Sequence, residues 1–492
     1  MEDAPKFYTD RLEKARLFRE AGINPYPYSF NQTAHAADIL KKFEEIVHGE
    51  ESPEAFSLAG RIMLLRRIGK VTFMTIQDAS GKIQIYLTKN DLPNYEDLKL
   101  FDIGDFIGVQ GKVFRTKMGE ITINAGRFEM LCKALQQLPE KYHGLQDTEL
   151  RYRMRYVDLI VNPEVREVFK KRSIIIAAIR EFLDAKGFVE VETPALQPMY
   201  GGANARPFVT HINAWDMRLY LSISPELYLK RLIVGGFEKV YTVCKNFRNE
   251  GVDRSHNPEF TMTECYWAYA DYNDVMSLTE NLYAHVCRKV NGTTKITYQG
   301  TELDFTVPWK RMTMKQAVKE LGGIDVDGLP DDELFNLRRV YGINVIGDVT
   351  RGKMTQLLFE ELCESKLIQP TFIIDHPKES TPLCKAHRKD PELIERFEPF
   401  CCGMELANAY SELNDPVLQK SLLLAQAEEL RAGSEESHPM DDDFVKAIEY
   451  GMPPTGGLGF GVDRMVLIFT DQPSIRDVIL FPTMRPENKS EK

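Results

Sequence analysis

Arg248 and Glu250 stand two apart at the end of an apolar run, Val240 to Val243, and His256 follows in a polar loop. Residues two apart on an extended strand share a face. A guanidinium beside a carboxylate, with an imidazole nearby, suits a phosphate and a purine. On these residues alone, a surface salt bridge on a hairpin is an equal alternative. A second stretch with chemical potential is Gly456-Gly457-Leu458-Gly459-Phe460-Gly461-Val462-Asp463-Arg464. Its glycines let backbone approach a ligand closely. It is not a phosphate-binding P-loop, which ends in Lys-Ser/Thr. It also lacks the order of a dinucleotide fingerprint, with no strand-to-helix crossover unit around it. Cys384 and His387 are three apart with no second pair, and Cys401 and Cys402 are adjacent, so no zinc site is expected.

The elements that must position these residues follow from periodicity. Glu259 to Tyr266 alternates, with Phe260, Met262 and Glu264 on one side. With the apolar run before the loop, it predicts an antiparallel hairpin. Asn162-Pro163 predicts a helix start, with Asn as N-cap and Pro at the first helical position. Apolar residues from Val165 to Leu183 keep helical spacing, Gly187 ends the helix, and Phe188 to Pro194 predicts a strand. Pro225 to Leu232, 270 to about 290 and Asp415 to Arg431 predict further helices. Residues 310 to about 380 read as an acidic, α-rich region.

The N-terminal third differs. Tyr8 to Ala21 and Ala37 to His48 predict solvated helices. Between Phe56 and Cys132, five or six short β-rich runs divided by Gly69-Lys70, Ser80-Gly81, Gly104 and Gly119 predict a small closed barrel. Phe56 to Asn90 carries six cations against Asp78 alone, a local balance of +5 on a chain of net charge −11. Phe73 and Gln84 fall on neighbouring strands there. An aromatic beside basic groups can stack single-stranded bases, while the pattern alone favours a core Phe and a solvated Gln.

A chain of 492 residues implies two or three domains. Its 43% hydrophobic and 27% charged content is that of a soluble globular protein. No signal peptide is expected from Met1 to Lys6, and no apolar run is long enough for a membrane span. Eight cysteines without a CxxC pair predict reduced thiols and a cytoplasmic location.

Three stretches resemble the signature motifs of class II aminoacyl-tRNA synthetases. They are the helix and strand through Gly187-Phe188 to Pro194, the hairpin Phe247 to Phe260, and the glycine-rich strand leading to Arg464. With a barrel before them, the arrangement resembles subclass IIb, and within it the lysyl-tRNA synthetases. Gly201 to Phe208, Pro225 to Arg231 and Glu405 to Asn414 are similar to that group's amino-acid pocket. The resemblance implies an α+β protein. An N-terminal helical segment (1–50) would precede an OB-fold anticodon-binding barrel (51–135), a linker (136–150) and a class II catalytic domain (151–492). That domain would hold an antiparallel β-sheet flanked by helices, with an α-rich insertion at about 310–380.

It further implies a lysine–tRNA ligase reaction, lysine and ATP giving lysyl-adenylate and then lysyl-tRNA(Lys). Arg248 and Arg464 would be catalytic, Arg248 bridging the α-phosphate and the lysine carboxylate, Arg464 holding the γ-phosphate. Glu250, His256, Asn257, Phe260 and Gly461 would help bind ATP, with adenine between Phe260 and Arg464. Glu398 and Glu405 would hold magnesium on the phosphates. Glu226 and Glu412 would grip the ε-ammonium with Tyr266 beside them, and Tyr410 would be a further lysine-binding residue. Gly202 and Glu264 would take the α-amino group, and Asn408 the carboxylate, with Gly459 in the pocket. Arg66, Phe73 and Gln84, with Glu120 contributing, would read the anticodon. The resemblance also implies a homodimer, no membrane association, and tRNA binding that leans on the barrel, since the N-terminus has no lysine-rich helix. Two departures stand out. Ala407 replaces a Gly or Cys common in relatives, and Gln136-Gln137 an Arg-Pro pair. Other readings are an aspartyl or asparaginyl enzyme, against which Glu226 and Glu412 argue, and an RNA-binding or signalling protein that has lost catalysis, against which the retained charged residues argue.

Overall fold

The computed structural model describes residues 5–139, 145–343, 349–431 and 439–487. It separates into two units, Met1–Gln146 and Asp147–Lys492.

In the first unit, Glu51–Ile68, Val71–Gln77, Lys82–Thr88, Phe106–Arg115 and Ile121–Cys132 close into a barrel in the order first, second, third, fifth, fourth. Alternation sends Ile62, Met74, Ile76, Ile83, Ile85, Val109 and Ile123 inward. Ile121–Cys132 is one strand, because a register shift opposite Gln110 and Gly111 absorbs the extra residue Gly126. The expected solvated helix is the Lys6–Glu20 helix, and it is docked on the barrel. Phe18 is buried edge-on against Phe101, and buried Arg11 donates to the carbonyls of Ile103, Ala134 and Gln136. The second helix is shorter than expected, Ala36–Lys42.

Of the expected linker, residues 140–144 lie outside the described residues. Thr148–Arg153 is already helical, with Asp147 accepting from the amides of Glu149 and Leu150.

In the second unit, one sheet runs Lys310–Thr313, Thr371–Pro377, Leu393–Cys401, Ala407–Ser411, Thr455–Gly461, Glu259–Ala268, Lys239–Phe247, Val189–Glu190. Its interior pairings are antiparallel, and the outermost pair on each side is parallel. The α-rich stretch is therefore entered and left by strands of the main sheet, with helices Met314–Glu320, Asp331–Val340 and Arg351–Leu362 between. Helices Pro163–Ala185 and Tyr272–Asn291 cover the sheet's apolar face, where Ile179, Leu183, Leu282, Tyr283, Leu458 and Phe460 pack together.

Asn162 occupies the N-cap position but makes no capping bond. Its side-chain amide instead donates to Asp158 Oδ1, one turn back in the Arg155–Val161 helix. Gly187 ends the long helix as expected, at φ +81°. The amides of Gly187 and Phe188 return to the carbonyls of Asp184 and Leu183. The strand after it shrinks to Val189–Glu190 plus one more bond, from the amide of Val191 to the carbonyl of Tyr241.

Candidate active site

Three central strands build the site by alternation. Cys265, Leu458, Phe460, Ala407 and Ala409 face the core. Their neighbours Glu264, Tyr266, Gly457, Gly459, Asn408 and Tyr410 face the other way, into a cavity of about 410 Å³. Glu264, Gly459 and Asn408 lie side by side in register, as do Tyr266, Gly457 and Tyr410. A glycine row thus separates two rows of polar side chains. A Cβ on Gly457 would fall 1.9 Å from Glu412 Oε1, and one on Gly459 3.3 Å from Glu264 Cγ. These glycines make room for protein carboxylates, a different role from the close backbone approach to ligand that the sequence predicts. Every residue of the second unit expected at the site lines this cavity.

One end is acidic. Glu226 opens the Glu226–Val234 helix, and it, Glu264 and Glu412 are all buried. Ser224 Oγ donates to Glu264 Oε1 (2.8 Å), Tyr266 to Glu264 Oε2 (3.1 Å) and Tyr410 to Glu226 Oε1 (2.7 Å). Gly202, at φ +87°, packs onto this group: a Cβ there would lie 2.9 Å from Ser224 Oγ and 3.0 Å from Glu226 Cβ. Burial, then the charge of Glu226, pushes the Glu264 carboxyl up to about 8. Burial likewise raises Glu412, against the pull of Lys230. Lys230, one helical turn after Glu226, places Nζ 2.6 Å from Glu226 Oε1 and in ion-pair contact with Glu412. Sequence reasoning missed Lys230, because a Glu–Lys pair at i, i+4 reads as a helix-surface pair.

The other end is basic. The strand stops at Phe247, so Arg248 and Glu250 stand in the loop beyond it and not on a shared strand face. The Arg248 amide donates to the Pro258 carbonyl (2.9 Å). Its guanidinium lies 5.1 Å from the centre of the Phe260 ring, and its buried Nε has no hydrogen-bond partner. The cation over Phe260 in this structure is Arg248. Arg464 Nη1 donates to the Glu405 carbonyl (2.6 Å) and lies 3.5 Å from Glu405 Oε2. Burial lowers the pKa of Arg248, and Arg464 adds like-charge repulsion against nearby carboxylates. Two guanidiniums facing one cavity suit a polyanion.

His256 is exposed, with Nδ1 3.0 Å from Asp253. Asn257 is engaged by backbone: Nδ2 donates to the Glu259 carbonyl (2.6 Å), and Oδ1 accepts from the Thr483 amide (3.2 Å). Arg396, also missed, donates from Nε to Asn408 Oδ1 (3.0 Å) and pairs with Glu398. Burial and the charge of Glu398 raise the pKa of Glu405.

On the barrel, Phe73 is half-buried on the outer face and is not a core residue. Arg66 and Phe73 are cross-strand partners, as are Phe73 and Tyr86, whose rings stand 5.2 Å apart. Gln84 shares that face and donates to Glu120 (2.6 Å). Of the six cations, Arg61 and Arg67 bond to the carbonyls of Gly104 and Leu98, and Lys89 pairs with Glu96.

A family described as "tRNA synthetases class II (D, K and N)" matches residues 147–485, and an "OB-fold nucleic acid binding domain" matches residues 56–131. The lysine–tRNA ligase of Carboxydothermus hydrogenoformans is 55% identical over 482 residues, 97% of this chain and 98% of its own. That of Pelotomaculum thermopropionicum is 55% identical over 490 residues, covering 99% and 96%. That of Clostridium novyi is 52% identical over 483 residues, covering 97% and 94%. With a family match over 147–485 and relatives of this identity along nearly the whole of both chains, the chain belongs to the class II tRNA synthetases, in the lysine–tRNA ligase family.

Proposed function

We propose that this chain joins L-lysine to tRNA(Lys) through a lysyl-adenylate made from ATP. The observation that carries the reading is the division of the cavity. Half-buried Arg248, whose Nε is buried and unpartnered, faces one end, and buried Glu226, Glu264 and Glu412 face the other. Lysine has an anionic carboxylate and two ammonium groups. Its ammonium groups fit the glutamates, which leaves its carboxylate toward Arg248. Arg248 there draws the carboxylate and the α-phosphate together, two anions that would otherwise repel. A carboxylate oxygen attacks the α-phosphorus and pyrophosphate leaves. A 3′-terminal ribose hydroxyl of tRNA then attacks the lysyl carbonyl and AMP leaves. No protein nucleophile is needed; position and cancelled charge lower both barriers. Arg464 takes the γ-phosphate end. Asn408, steadied by Arg396, takes the lysine carboxylate, and Glu250, His256, Asn257, Phe260 and Gly461 shape the ATP end.

Glu398 and Glu405 fit magnesium. They are hard oxygen donors, and the burial and mutual repulsion that raise Glu405 are relieved by a cation. Magnesium bound there would neutralise phosphate charge.

A pocket for aspartate or asparagine has no use for carboxylates at its side-chain end, which disfavours those substrates. Arg66, Phe73 and Gln84 form the proposed anticodon surface, with Phe73 stacking a base. Ile174, Leu196, Val209 and Trp215, the last 73% exposed, give the Pro163–Ala185 helix and the segment after it apolar surface that supports a homodimer. All eight cysteines are free and no described helix is long and apolar enough to cross a membrane, which supports a cytoplasmic assignment.

Charging of tRNA(Lys) with labelled lysine tests the reading. The full chain with ATP and magnesium should charge it, and a chelator should stop the reaction. Phe73→Ala should cut charging roughly tenfold while leaving pyrophosphate exchange nearly intact. Absence of charging by the unmodified chain would sink the assignment. Equal loss of both activities in the variant would remove the separate role of the barrel.

A further inference from the structure

Lys230 is fully buried, yet the proposed roles leave it unused. Its Nζ reaches Glu226 Oε1 at 2.6 Å and touches Glu412 as well, so one internal ammonium bridges both carboxylates assigned to the ε-ammonium of lysine. The rings of Tyr410 and Phe444, with centres 5.6 and 6.0 Å away, close around it. The Tyr410 hydroxyl donates to the same Glu226 oxygen. Burial alone would lower the pKa of Lys230, but the two carboxylates raise it above the ordinary lysine value.

Counting charge gives this ammonium a task. Two buried carboxylates side by side do not both stay ionised; one takes a proton and becomes a donor. A donor there would face the donor hydrogens of a substrate ammonium. Lys230 bridges the two, and two ionised carboxylates with one ammonium sum to a single net negative charge. That matches one ε-ammonium.

Resting on the lysine-pocket reading above, we propose that Lys230 is a built-in counter-ion that sets the charge of the side-chain pocket to minus one, and so acts as a positioning and specificity residue for a monocationic side chain. It touches both glutamates from within the fold.

The test is the sign of an interaction between two substitutions, read as the KM for lysine in ATP–pyrophosphate exchange. Glu412→Gln alone leaves Glu226 neutralised by Lys230, a pocket of zero net charge with an ammonium in it. Its KM for lysine should rise steeply while its KM for ATP holds. Adding Lys230→Met frees Glu226 and restores one negative charge. The double variant should therefore bind lysine better than Glu412→Gln alone, by roughly tenfold. Its pocket carries the same net charge as that of the unmodified chain, and Tyr410 still donates to Glu226, so its folding does not depend on the single Lys230→Met variant being stable. If Lys230 is only a structural tie, the second substitution adds damage, and a KM equal to or higher than that of Glu412→Gln overturns the proposal. Lysine-dependent exchange by the unmodified chain is the control: its absence would refute the lysine reading itself, whereas its presence with a worse double variant refutes only the role of Lys230.

Discussion

Glu264 carries the clearest consequence at the scale of one residue. Burial and its neighbour Glu226 hold its carboxyl near about 8, so it is largely neutral in the free protein at pH 7. It grips an ammonium only when ionised, so lysine binding must expel a proton. Lysine affinity should therefore fall as pH drops below about 8, by up to roughly tenfold per unit. Calorimetry between pH 6.5 and 8, in buffers of different ionisation enthalpy, reads both the affinity and the proton. A flat affinity without proton release would remove Glu264 from the pocket. For the fold, the sign is opposite. The native state keeps a proton that the unfolded chain loses above about pH 4.3, so this group subtracts stability as pH rises from there to about 8. Residue types at the site were largely legible in the chain: Arg248, Arg464 and the glycine row announce themselves. Lys230 and Arg396 do not. Their spacing is that of ordinary surface pairs, and only the packing of the Glu226–Val234 helix and the Leu393–Cys401 strand buries their charges.

At the scale of elements, the long helix and the hairpin follow from helical spacing, Pro163, Gly187 and strict alternation. What fails is short or charged. Lys310–Thr313 is four residues with two cations, too brief for period-two alternation to mark, and it joins the sheet through parallel pairing with Thr371–Pro377. Asn162 has the right type for a cap, but its carboxamide is held by donation from Nδ2 to Asp158, and its oxygen accepts from no helix amide. The Pro163–Ala185 helix also reaches the site through Arg172. Its Nη1 pairs with Asp463 (2.5 Å), and its Nη2 donates to Thr261 Oγ1 (3.0 Å). Asp463 in turn accepts from the Thr261 amide (2.7 Å), beside Arg464. This clamp ties the glycine-rich strand to the hairpin: Thr261 and Asp463 line the cavity, and Arg172 holds them from outside it. Arg172→Met should slow adenylate formation roughly tenfold or more by misplacing Arg464, with a smaller change in KM for lysine. Pre-steady-state measurement of adenylate formation checks it, and an unchanged rate would confine the clamp to stability.

For the molecule as a whole, the two-unit organisation shows in the composition. Short β-rich runs with a local excess of cations give way to long helices and a sheet on a chain of net charge −11. The barrel face was less legible, because alternation on a small barrel does not say which parity points inward. Phe73 stands outward because Met74 and Ile76 fill the interior. Class II membership rests on matches that run from 56–131 through 147–485. The choice of amino acid rests on the buried glutamates. ATP–pyrophosphate exchange with each of the twenty amino acids tests that central claim most directly. Exchange should depend on lysine, with the neutral and acidic amino acids near background. Exchange driven by aspartate or asparagine, or none with lysine, would contradict the account.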